Sequence, residues 1–398
     1  MREMKDSGVS WIGMIPNDWN LNKIGSVYEE RNTKVSDTEY EPLSVTKQGI
    51  VPQLETAAKT DNGDNRKLIK KNDFVINSRS DRRGSCGISD REGSCSLINT
   101  VLKPRKDMIN EYYSYVFKTE SFADEYYHWG HGIVDDLWST KWTDMKSIYI
   151  PFPSLDEQKR IADYLDSKCS QIDSTVTKLE AIIERLKKYR FSIITEAVTK
   201  GLNSNVDMKD TGIDQLGLIP SSWNVSEIRF VCDMQAGNSL SSEVIQENGT
   251  YPVYGGNGIR GYYDDYNVSD KVILVGRQGA LCGNVHLINE HIWATEHAVI
   301  TKAKNNIEID YLYFALLAAN LNQYVSSTAA QPGLAVSTIK KVKIAVPSKE
   351  EQITIADYIT SRVSKIDEQV KLLDLEVLKL SEYKKSLIYE VVTGKKEV

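Results

Sequence analysis

Two short segments of this sequence place arginine or glutamine directly after a run of strand-forming residues. DFVINSR ends at Arg79 and KVILVGR ends at Arg277, and a glycine-containing turn follows each predicted strand. Arg82 and Arg83 follow the first strand, and Gln278 follows the second. Arginine forms paired hydrogen bonds with guanine and glutamine does so with adenine, which makes both segments candidates for DNA contact.

The first segment lies in a strongly basic stretch. Residues 66–91 contain eight basic and three acidic side chains, a net charge of +5, although the whole chain carries −6 at pH 7. A basic stretch is most often a solvated surface. Because Arg82 and Arg83 follow a predicted strand end, contact with phosphates or bases is the favoured interpretation. Net charge alone does not exclude such a local site.

A glycine-rich segment offers a second group of candidates. Residues 256–261 read G-N-G-I-R-G, which matches the dinucleotide-binding fingerprint G-x-G-x-x-G. That site needs a following helix and an acidic residue about twenty positions on, whereas Tyr-Tyr-Asp-Asp follows here and Glu290 is too distant. A structural hairpin turn and a turn that presents side chains to DNA both remain possible. The candidate side chains for DNA contact are Tyr254, Asn257, Arg260, Tyr262 and Tyr263.

Motifs for catalysis are weak in this sequence. It contains neither an N/D-P-P-Y/F methyltransferase motif nor a Walker A sequence. Glu157-Gln-Lys159 resembles the end of a nuclease site, but the related segment at Glu351 lacks the lysine. His128 and His131 have no visible third ligand, so a turn is favoured over a metal site. We therefore expect a binding protein without catalytic residues, cofactor or metal.

The cysteines and the N-terminal residues indicate the cellular compartment of the protein. The five cysteines are scattered without a C-x-x-C pair, which argues against a zinc ribbon or a disulfide framework. The first residues, MREMKDSGVSWIG, contain no apolar signal-peptide core. These features predict a cytoplasmic protein.

The chain repeats two of its segments in order. SGVSWIGMIPNDWN recurs as TGIDQLGLIPSSWN, so that Pro16 corresponds to Pro220, 204 residues later. PSLDEQKRIADYLDSKCSQID recurs as PSKEEQITIADYITSRVSKID, so that Ser154 corresponds to Ser348, 194 residues later. The variable regions between these segments differ in sequence and in length. One fold used twice is the simplest interpretation.

The second repeated segment predicts two long helices. Each begins with S-x-x-E after a proline, a capping-box signature. Apolar residues then recur mainly at alternating spacings of four and three, the heptad pattern of a coiled-coil seam, with basic interruptions at Arg190 and Lys384. Gly201 and Gly394 follow as stop signals. Each seam requires a partner, and the other helix of the same chain is the nearest one.

With both repeats identified, the chain resembles the specificity subunit of type I restriction-modification systems along essentially its whole length. The resemblance rests on the duplicated G-x-I-P-x-x-W and P-S-x-x-E-Q motifs and on YPVYGGNGIRGYYDDYN, ILVGRQGALCG and TEHAVI in the second half. It implies two target recognition domains that each read half of a split site in double-stranded DNA, and two long helices packed antiparallel. It also implies two docked methyltransferase subunits and possible motor-nuclease subunits. The first variable region lacks the Tyr-Gly-Gly-Asn-Gly stretch, so base-reading residues cannot be transferred to it.

The predicted fold is α+β, with two mixed α/β target recognition domains separated by two long helices that form an antiparallel coiled coil and give an internal pseudo-two-fold repeat. The predicted boundaries are residues 1–152 for the first domain, 153–201 for the first helix, 202–219 for a linker, 220–346 for the second domain and 347–394 for the second helix. The predicted function is DNA sequence specificity without catalysis. The alternatives are a coiled-coil scaffold without sequence-specific DNA binding and an enzyme that binds a nucleotide at residues 256–261.

Overall fold

The computed structural model describes residues 2–54, 63–132, 138–279, 281–325 and 333–398. Its contacts divide the chain into two units. Unit 1 comprises Met1–Leu179 with Leu375–Val398, and unit 2 comprises Glu180–Asp374. Each unit therefore contains one mixed α/β domain and a part of each of two long helices.

Unit 1 contains thirteen described strands and four short helices before its first long helix. The strands are β1 (Met4–Asp6), β2 (Met14–Pro16), β3 (Asn20–Lys23), β4 (Tyr28–Glu30), β5 (Lys34–Val35), β6 (Leu43–Thr46), β7 (Gly49–Pro52), β8 (Arg66–Ile69), β9 (Phe74–Asn77), β10 (Cys86–Ile88), β11 (Gly93–Cys95), β12 (Asn99–Pro104) and β13 (Tyr149–Phe152). The helices are α1 (Ile24–Val27), α2 (Asn110–Lys118), α3 (Glu120–His128), α4 (Trp142–Met145) and the long α5 (Leu155–Lys200), which continues into unit 2.

Unit 2 follows the same plan. Its strands are β14 (Met208–Asp210), β15 (Leu218–Pro220), β16 (Asn224–Glu227), β17 (Cys232–Ala236), β18 (Tyr251–Gly255), β19 (Gly258–Tyr263), β20 (Val272–Gly276), β21 (Val285–Ile288), β22 (Trp293–Ala294), β23 (Ala298–Ala303) and β24 (Lys343–Val346). Its helices are α6 (Ile228–Val231), α7 (Ile309–Ala318), α8 (Val336–Ile339) and the long α9 (Lys349–Val392), which continues into unit 1.

The two central sheets have the same strand order. In unit 1 the order is β10-β9-β12-β4, and in unit 2 it is β21-β20-β23-β17, with all neighbours antiparallel. The middle strands β9 and β20 are completely buried. They are the two segments predicted as strands that lead into arginine. Because each is hydrogen-bonded on both sides, the residues that follow it leave from a rigid support.

Helices pack on one face of these sheets. In unit 1, Phe74 of β9 contacts Phe117 of α2, with ring centroids 4.1 Å apart. In unit 2, Tyr311 and Leu312 of α7 are buried in the same apolar core as Ile273 of β20. These contacts explain why α2 and α7 carry several buried aromatic and aliphatic side chains, since each covers the strand that supports the arginine loop.

Each unit also carries a β-hairpin outside its central sheet. In unit 2, β18 and β19 form the hairpin, and β22 pairs with β18 in the parallel direction. In unit 1, β6 and β7 form the hairpin, and Pro42 just before β6 makes a parallel bridge to Ser94 of β11. A further sheet of unit 1 has the order β11-β8-β5.

The long helices α5 and α9 contain 46 and 44 residues. Their predicted N-caps are present: the hydroxyls of Ser154 and Ser348 accept hydrogen bonds from the backbone N–H groups of Glu157 and Glu351, both at 3.3 Å. These bonds satisfy donors that a helix start otherwise leaves without partners.

In unit 1, the start of α5 and the end of α9 both contact Trp19. The Trp19 indole N–H donates to the carboxylate of Glu157 at 2.8 Å, because a buried indole requires an acceptor. Gly394 follows α9 with φ of +74°, and a Cβ added there would come within 2.4 Å of Pro16 and 3.1 Å of Trp19. The capping signature did not predict this role of the glutamate.

In unit 2, Trp223 takes the same place with the helices exchanged. Its indole N–H donates to Glu351 of α9 at 2.9 Å. Gly201 follows α5 with φ of +74°, and a Cβ there would lie 3.1 Å from Trp223. Within each unit one long helix begins where the other ends, so the two helices run antiparallel.

The two basic residues that interrupt the predicted seams pair with the other long helix. In unit 1, Lys384 of α9 lies 2.6 Å from Asp173 of α5. In unit 2, Arg190 of α5 lies 2.8 Å from Asp367 of α9. These are corresponding positions of the two repeats. Exposed pairs of this kind contribute only about 0–1 kcal/mol each, so the apolar seam supplies most of the helix–helix stability.

Candidate nucleic-acid interface

In unit 2, several predicted DNA-contact residues meet where the β18–β19 turn lies against the end of β20. Gly256 in this turn is buried, and a Cβ added to it would come within 2.8 Å of the Gln278 carbonyl oxygen and 3.1 Å of that of His297. A Cβ at Gly276 would lie 1.8 Å from the Gly256 carbonyl oxygen. Only residues without a side chain permit such an approach. The exposed Asn257 is thereby held close to the loop after β20.

Hydrogen bonds link the polar groups around this turn. The side-chain amide of Asn284 donates to Oδ1 of Asn257 at 3.1 Å. The backbone N–H of Arg277 donates to the His297 carbonyl oxygen at 3.0 Å. The Gln278 side chain is exposed, and its Oε1 contacts Nδ1 of His297. The structure therefore brings Asn257, Arg277 and Gln278 into one polar cluster.

His297 is a functional candidate that the sequence analysis did not assign. Besides its contact with Gln278, its Nε2 lies 3.4 Å from the carboxylate of Glu296. An imidazole between a carboxylate and an amide can fix the orientation of the amide, and hence the donors and acceptors that it offers to a base. The sequence signal that could have identified His297 was the TEHAVI motif, in which Glu296 and His297 are adjacent.

Arg277 and its neighbour Glu296 each have one buried side-chain atom without a hydrogen-bond partner in the described part of the chain. Nε of Arg277 and Oε2 of Glu296 are buried and have no hydrogen-bond partner among the described residues. Buried polar atoms are normally paired, so an unpaired one calls for a specific explanation such as an ordered water or a bound ion. Arg277 is partly exposed, its backbone N–H is hydrogen-bonded to the His297 carbonyl oxygen, and its Nε has no partner among the described residues.

The remaining candidates of unit 2 lie along the hairpin. Arg260 is exposed, and its side chain folds over Gly255, where a Cβ would meet its Cδ at 2.6 Å. Tyr254 is partly buried, and burial raises the pKa of its hydroxyl. Tyr262 and Tyr263 pair with Pro252 and Tyr251 at the other end of the hairpin, roughly 16 Å along the strand from the turn. The structure does not bring these last two tyrosines to the cluster, and their contact with DNA remains a prediction.

The glycine fingerprint is part of this hairpin. Residues 256–261 run from the turn directly into β19. A dinucleotide site requires a helix N-terminus at this position to receive the phosphates. The strand–turn–strand geometry therefore argues against the nucleotide-binding alternative.

In unit 1, the three predicted arginines differ in their surroundings. Arg79 follows β9 and is exposed. The side chain of Arg82 is 66% exposed and lies 3.5 Å from Asp81. Arg83 forms an ion pair with Asp124 and lies over the ring of Tyr127, 5.2 Å from its centroid. Arg79 and Arg82 are thus accessible to a phosphate or base, whereas Arg83 would first have to leave its partners.

The basic stretch around them is not a single surface. Arg66 is 5% exposed and donates to Oγ of Ser94 at 2.8 Å, and Lys67 is 8% exposed and donates to the Asn99 carbonyl oxygen at 2.9 Å. Both side chains hold β8 against neighbouring segments of unit 1. The net charge of the stretch therefore overstates the charge that DNA could contact, because burial and hydrogen bonding cannot be read from composition.

The hairpin β6–β7 of unit 1 is a second feature that the sequence analysis missed. Its two-residue turn consists of Lys47 and Gln48, both exposed. The sequence signal was a weak match: Pro42 and Gly49-Ile50 resemble Pro252 and Gly258-Ile259 of the second domain, but the proline precedes the glycine by seven residues in the first domain and by six in the second.

The cysteines near the two arginine loops are not activated. Burial raises the pKa of Cys86 to about 12, and its thiol donates to the Phe117 carbonyl oxygen at 3.2 Å. Burial also raises the pKa of Cys282. Since the thiolate is the reactive form, neither residue has the character of a catalytic nucleophile. Among the described residues, no group of three or more His, Cys, Asp and Glu side chains could hold a metal ion.

A helix that crosses a bilayer needs about 20 consecutive, mainly apolar residues. Within the part of the chain that the structure describes, no helix has an apolar stretch long enough to cross a membrane.

The sequence matches a family model twice. The model is Methylase_S, the type I restriction modification DNA specificity domain, and it matches residues 16–185 and 220–373. The EcoprrI specificity subunit from Escherichia coli is 42% identical over 146 residues, which cover 34% of this chain and 36% of that protein. The putative MjaX specificity subunit from Methanocaldococcus jannaschii is 22% identical over 419 residues, which cover 96% of this chain and 95% of that protein. The first match thus spans about a third of the E. coli relative.

A similar fold occurs in solved structures. A chain solved in a study of complex assembly and conformational transition of the type I R-M system has a TM-score of 0.72 at 14% identity, over 96% of this chain and 99% of that chain. The HsdS subunit from Thermoanaerobacter tengcongensis has a TM-score of 0.50 at 15% identity, over 96% and 98%. At these identities the likeness concerns the fold alone. It confirms the predicted fold class of two mixed α/β domains with two long helices.

Proposed function

The chain belongs to the type I restriction modification DNA specificity domain family, and we propose that it is the DNA sequence-specificity subunit of a type I restriction-modification complex. Each α/β domain reads one half of a bipartite target in double-stranded DNA. The long helices set the spacing between the half-sites and dock methyltransferase subunits.

The family predicted from the repeated motifs is confirmed by the two matched segments. Specificity subunits of this family are non-catalytic, and their similarity to this chain extends to relatives that carry this name. The chain is therefore a recognition subunit rather than an enzyme. Methylation and cleavage belong to partner subunits.

The observation that carries the proposal is the duplicated construction of the candidate interface. Both units have the same central strand order, and in both a fully buried middle strand leads into an arginine, Arg79 or Arg277. The residues around these arginines differ between the units. A shared scaffold with different reading residues is what two dissimilar half-sites require.

The long helices support the role of a spacer. Each begins in one unit and ends in the other, and a helix of 46 residues is about 69 Å long. In each unit the helix start and the helix end contact the same tryptophan, so the helices are fixed at both ends. A helix of fixed length that is anchored in each unit suits the proposed role of a spacer.

The repeat also supports docking of two identical partners. Tyr189 and Tyr383 occupy corresponding positions of the two helices and are 57% and 52% exposed. Exposed aromatic side chains are typical anchors of protein interfaces. Two copies of the same surface can accept two copies of one methyltransferase subunit, and motor-nuclease subunits could join this assembly.

We further propose that the predicted boundaries delimit the functional parts. Residues 1–152 and 220–346 would form the readers, 153–201 and 347–394 the helices, and 202–219 the linker. The described helices run from Leu155 to Lys200 and from Lys349 to Val392.

The proposal is tested by mapping methylated DNA motifs in cells with and without this chain. We expect a bipartite motif that disappears when the chain is removed and returns when it is restored. The purified chain with S-adenosylmethionine alone should transfer no methyl groups. Methylation by the isolated chain, or an unchanged motif after its removal, would contradict the proposal.

Binding measurements separate the proposed reader from a coiled-coil scaffold. The complex of this chain with its partner subunits should bind DNA that contains the motif more tightly than scrambled DNA, and the affinity should fall steeply as salt increases. Equal affinity for both DNAs would favour the scaffold alternative.

A further inference from the structure

We propose that the turn of the β6–β7 hairpin, Lys47 and Gln48, is a DNA-reading element of the first domain. The proposal rests on the function proposed above, and it assigns base recognition in a region where the sequence resemblance supplied no residues. Three structural correspondences with the β18–β19 hairpin lead to it, together with the exposure and charge of the turn.

The first correspondence is the strand with which each hairpin pairs in the parallel direction. The β18–β19 hairpin pairs in parallel with β22, the strand that precedes β23 of the central sheet. Pro42, which leads into β6, makes a parallel bridge to Ser94 of β11, the strand that precedes β12. Because β12 and β23 occupy the same place in their sheets, the two hairpins are equivalent elements.

The second correspondence is the local geometry of the turns. Two residues separate the strands in each hairpin, Lys47-Gln48 in unit 1 and Gly256-Asn257 in unit 2. A glycine with positive φ follows each turn, Gly49 at +123° and Gly258 at +106°. Gln48 therefore corresponds to Asn257, and both carry a side-chain amide.

The third correspondence is a close backbone contact at each turn. A Cβ at Gly87 of β10 would come within 2.9 Å of the Gly49 Cα, and a Cβ at Gly276 of β20 would come within 1.8 Å of the Gly256 carbonyl oxygen. Both turns thus lie against the central sheet of their own unit. The contacted strand differs, because Gly87 pairs with Val75 in the middle of β9, whereas Gly276 is the last residue of β20.

The turn of unit 1 is rigid as well as exposed. The Thr46 hydroxyl accepts from the Gln48 backbone N–H at 3.2 Å and donates to the Gly49 carbonyl oxygen at 3.0 Å. Lys118 of α2 donates to the Gln48 carbonyl oxygen at 3.4 Å. These bonds fix the backbone while both side chains of the turn remain exposed, so little ordering is needed when a partner binds.

The charge and shape of the turn fit double-stranded DNA. Lys47 has no ion-pair partner among the described residues, and the exposed Lys118 adds a second positive charge beside it. A two-stranded β-ribbon fits into the DNA major groove, and glutamine can bind adenine with two hydrogen bonds. Gln48 is therefore assigned to a base edge and Lys47 to the adjacent phosphates.

The test uses the full chain assembled with its partner subunits and a pool of random double-stranded DNA. The wild-type complex should select a bipartite motif. Gln48→Ala should reduce discrimination at one position of one half-site by about 5- to 150-fold, the range expected for one paired base contact, and leave the other half-site intact. Asn257→Ala should affect only the other half-site.

Three further variants separate base reading from general electrostatic attraction. Lys47→Ala should weaken binding to all sequences and reduce the steepness of the salt dependence by about 0.9. Lys34→Ala, which removes an exposed lysine of the same domain outside the hairpin, should change neither property. Gln48→Glu keeps the size of the side chain but only accepts hydrogen bonds, and it should weaken binding more than Gln48→Ala.

The outcomes distinguish this inference from the function on which it rests. A wild-type complex that selects no bipartite motif would contradict both. A wild-type complex with a bipartite motif that Gln48→Ala and Gln48→Glu leave unchanged, in chains that unfold at the wild-type temperature, would overturn the hairpin assignment alone. A change in the half-site that also responds to Asn257→Ala would overturn it too.

Discussion

The two α/β domains share one sheet topology but support their candidate DNA residues in different ways. In unit 2, Gln278 contacts His297, and a glycine turn is packed against the same loop. In unit 1, Arg83 is bound to Asp124 and the hairpin turn carries a lysine instead of a glycine. The scaffold is duplicated closely, whereas the loops that face a ligand have diverged. Loops can vary in this way because a rigid sheet positions them.

The contacts that anchor the long helices show the opposite pattern. The tryptophan–glutamate hydrogen bond occurs in both units, at 2.8 Å and 2.9 Å. The glutamines after these glutamates also act alike: Gln158 accepts from the Ile109 backbone N–H, and Gln352 accepts from that of Glu308. Identical side chains thus perform the structural task twice, while the proposed recognition task uses different ones.

The largest effect should come from breaking a helix anchor. Trp19→Ala or Trp223→Ala removes a side chain that is 1% exposed and leaves a glutamate without its indole donor, so each should cost about 3–5 kcal/mol. Urea unfolding of the full chain measures this loss. Trp293→Ala, at a partly exposed position, should cost distinctly less. Equal costs at all three positions would contradict the anchoring role.

A smaller effect is expected where the unit 2 turn meets its sheet. Gly276→Ala places a Cβ 1.8 Å from the Gly256 carbonyl oxygen, and the resulting displacement should cost about 1–3 kcal/mol and impair recognition of one half-site. Thermal unfolding measures the loss of stability, and selection of DNA targets measures the loss of half-site recognition. As a control, Gly212→Ala has nothing within 4 Å and φ of +64°, so it should introduce backbone strain without a clash. Wild-type recognition by Gly276→Ala would show that this contact does not position the turn.

The arginine loops should differ in sensitivity. Arg277→Ala should reduce DNA affinity by about 1–3 kcal/mol for one half-site if it reads a base. If Arg277 contacts phosphate, the loss should be similar for all sequences and the salt slope should fall by about one. Arg82→Ala should behave correspondingly in the first domain. Arg83→Ala should have less effect because Arg83 is already paired with Asp124. If Arg277→Ala and Arg82→Ala both left DNA affinity unchanged at low salt, this would contradict the prediction that the two arginine loops contact DNA.

The smallest effect should come from His297, which acts through Gln278. His297→Ala should reduce discrimination at the Gln278 position by about 0.5–1.5 kcal/mol, the net value of one hydrogen bond, with little change in overall affinity. His297→Asn can place an amide near the position of Nδ1 and should restore part of the discrimination. Equal behaviour of the two variants would indicate that His297 has only a packing role.

Much of the fold could be predicted because its signals are periodic or repeated. The heptads of the long helices, the paired capping serines and the duplicated tryptophan motif identified one architecture used twice. The strands before Arg79 and Arg277 were predicted from short apolar runs, since β9 and β20 are buried on both faces. These features depend on local pattern alone.

The candidate site was less predictable because it depends on contacts between distant residues. Nothing in the local sequence indicates that His297 contacts Gln278, or that Arg66 and Lys67 are buried in a basic stretch. The hairpin at Lys47 was missed because only a proline and a Gly-Ile pair match the second domain. Its equivalence becomes visible through strand pairing, which sequence periodicity does not encode.

The central claim is that each domain reads its own half of one target. It is tested most directly by selecting DNA targets with three assembled complexes: wild type, the double variant Gln48→Ala/Arg82→Ala, and the double variant Arg277→Ala/Gln278→Ala. The account predicts a bipartite motif for the wild type, and each double variant should lose the half-site that the other retains. If both variants lost the same half-site, or if the wild type selected one continuous motif, the claim would be contradicted.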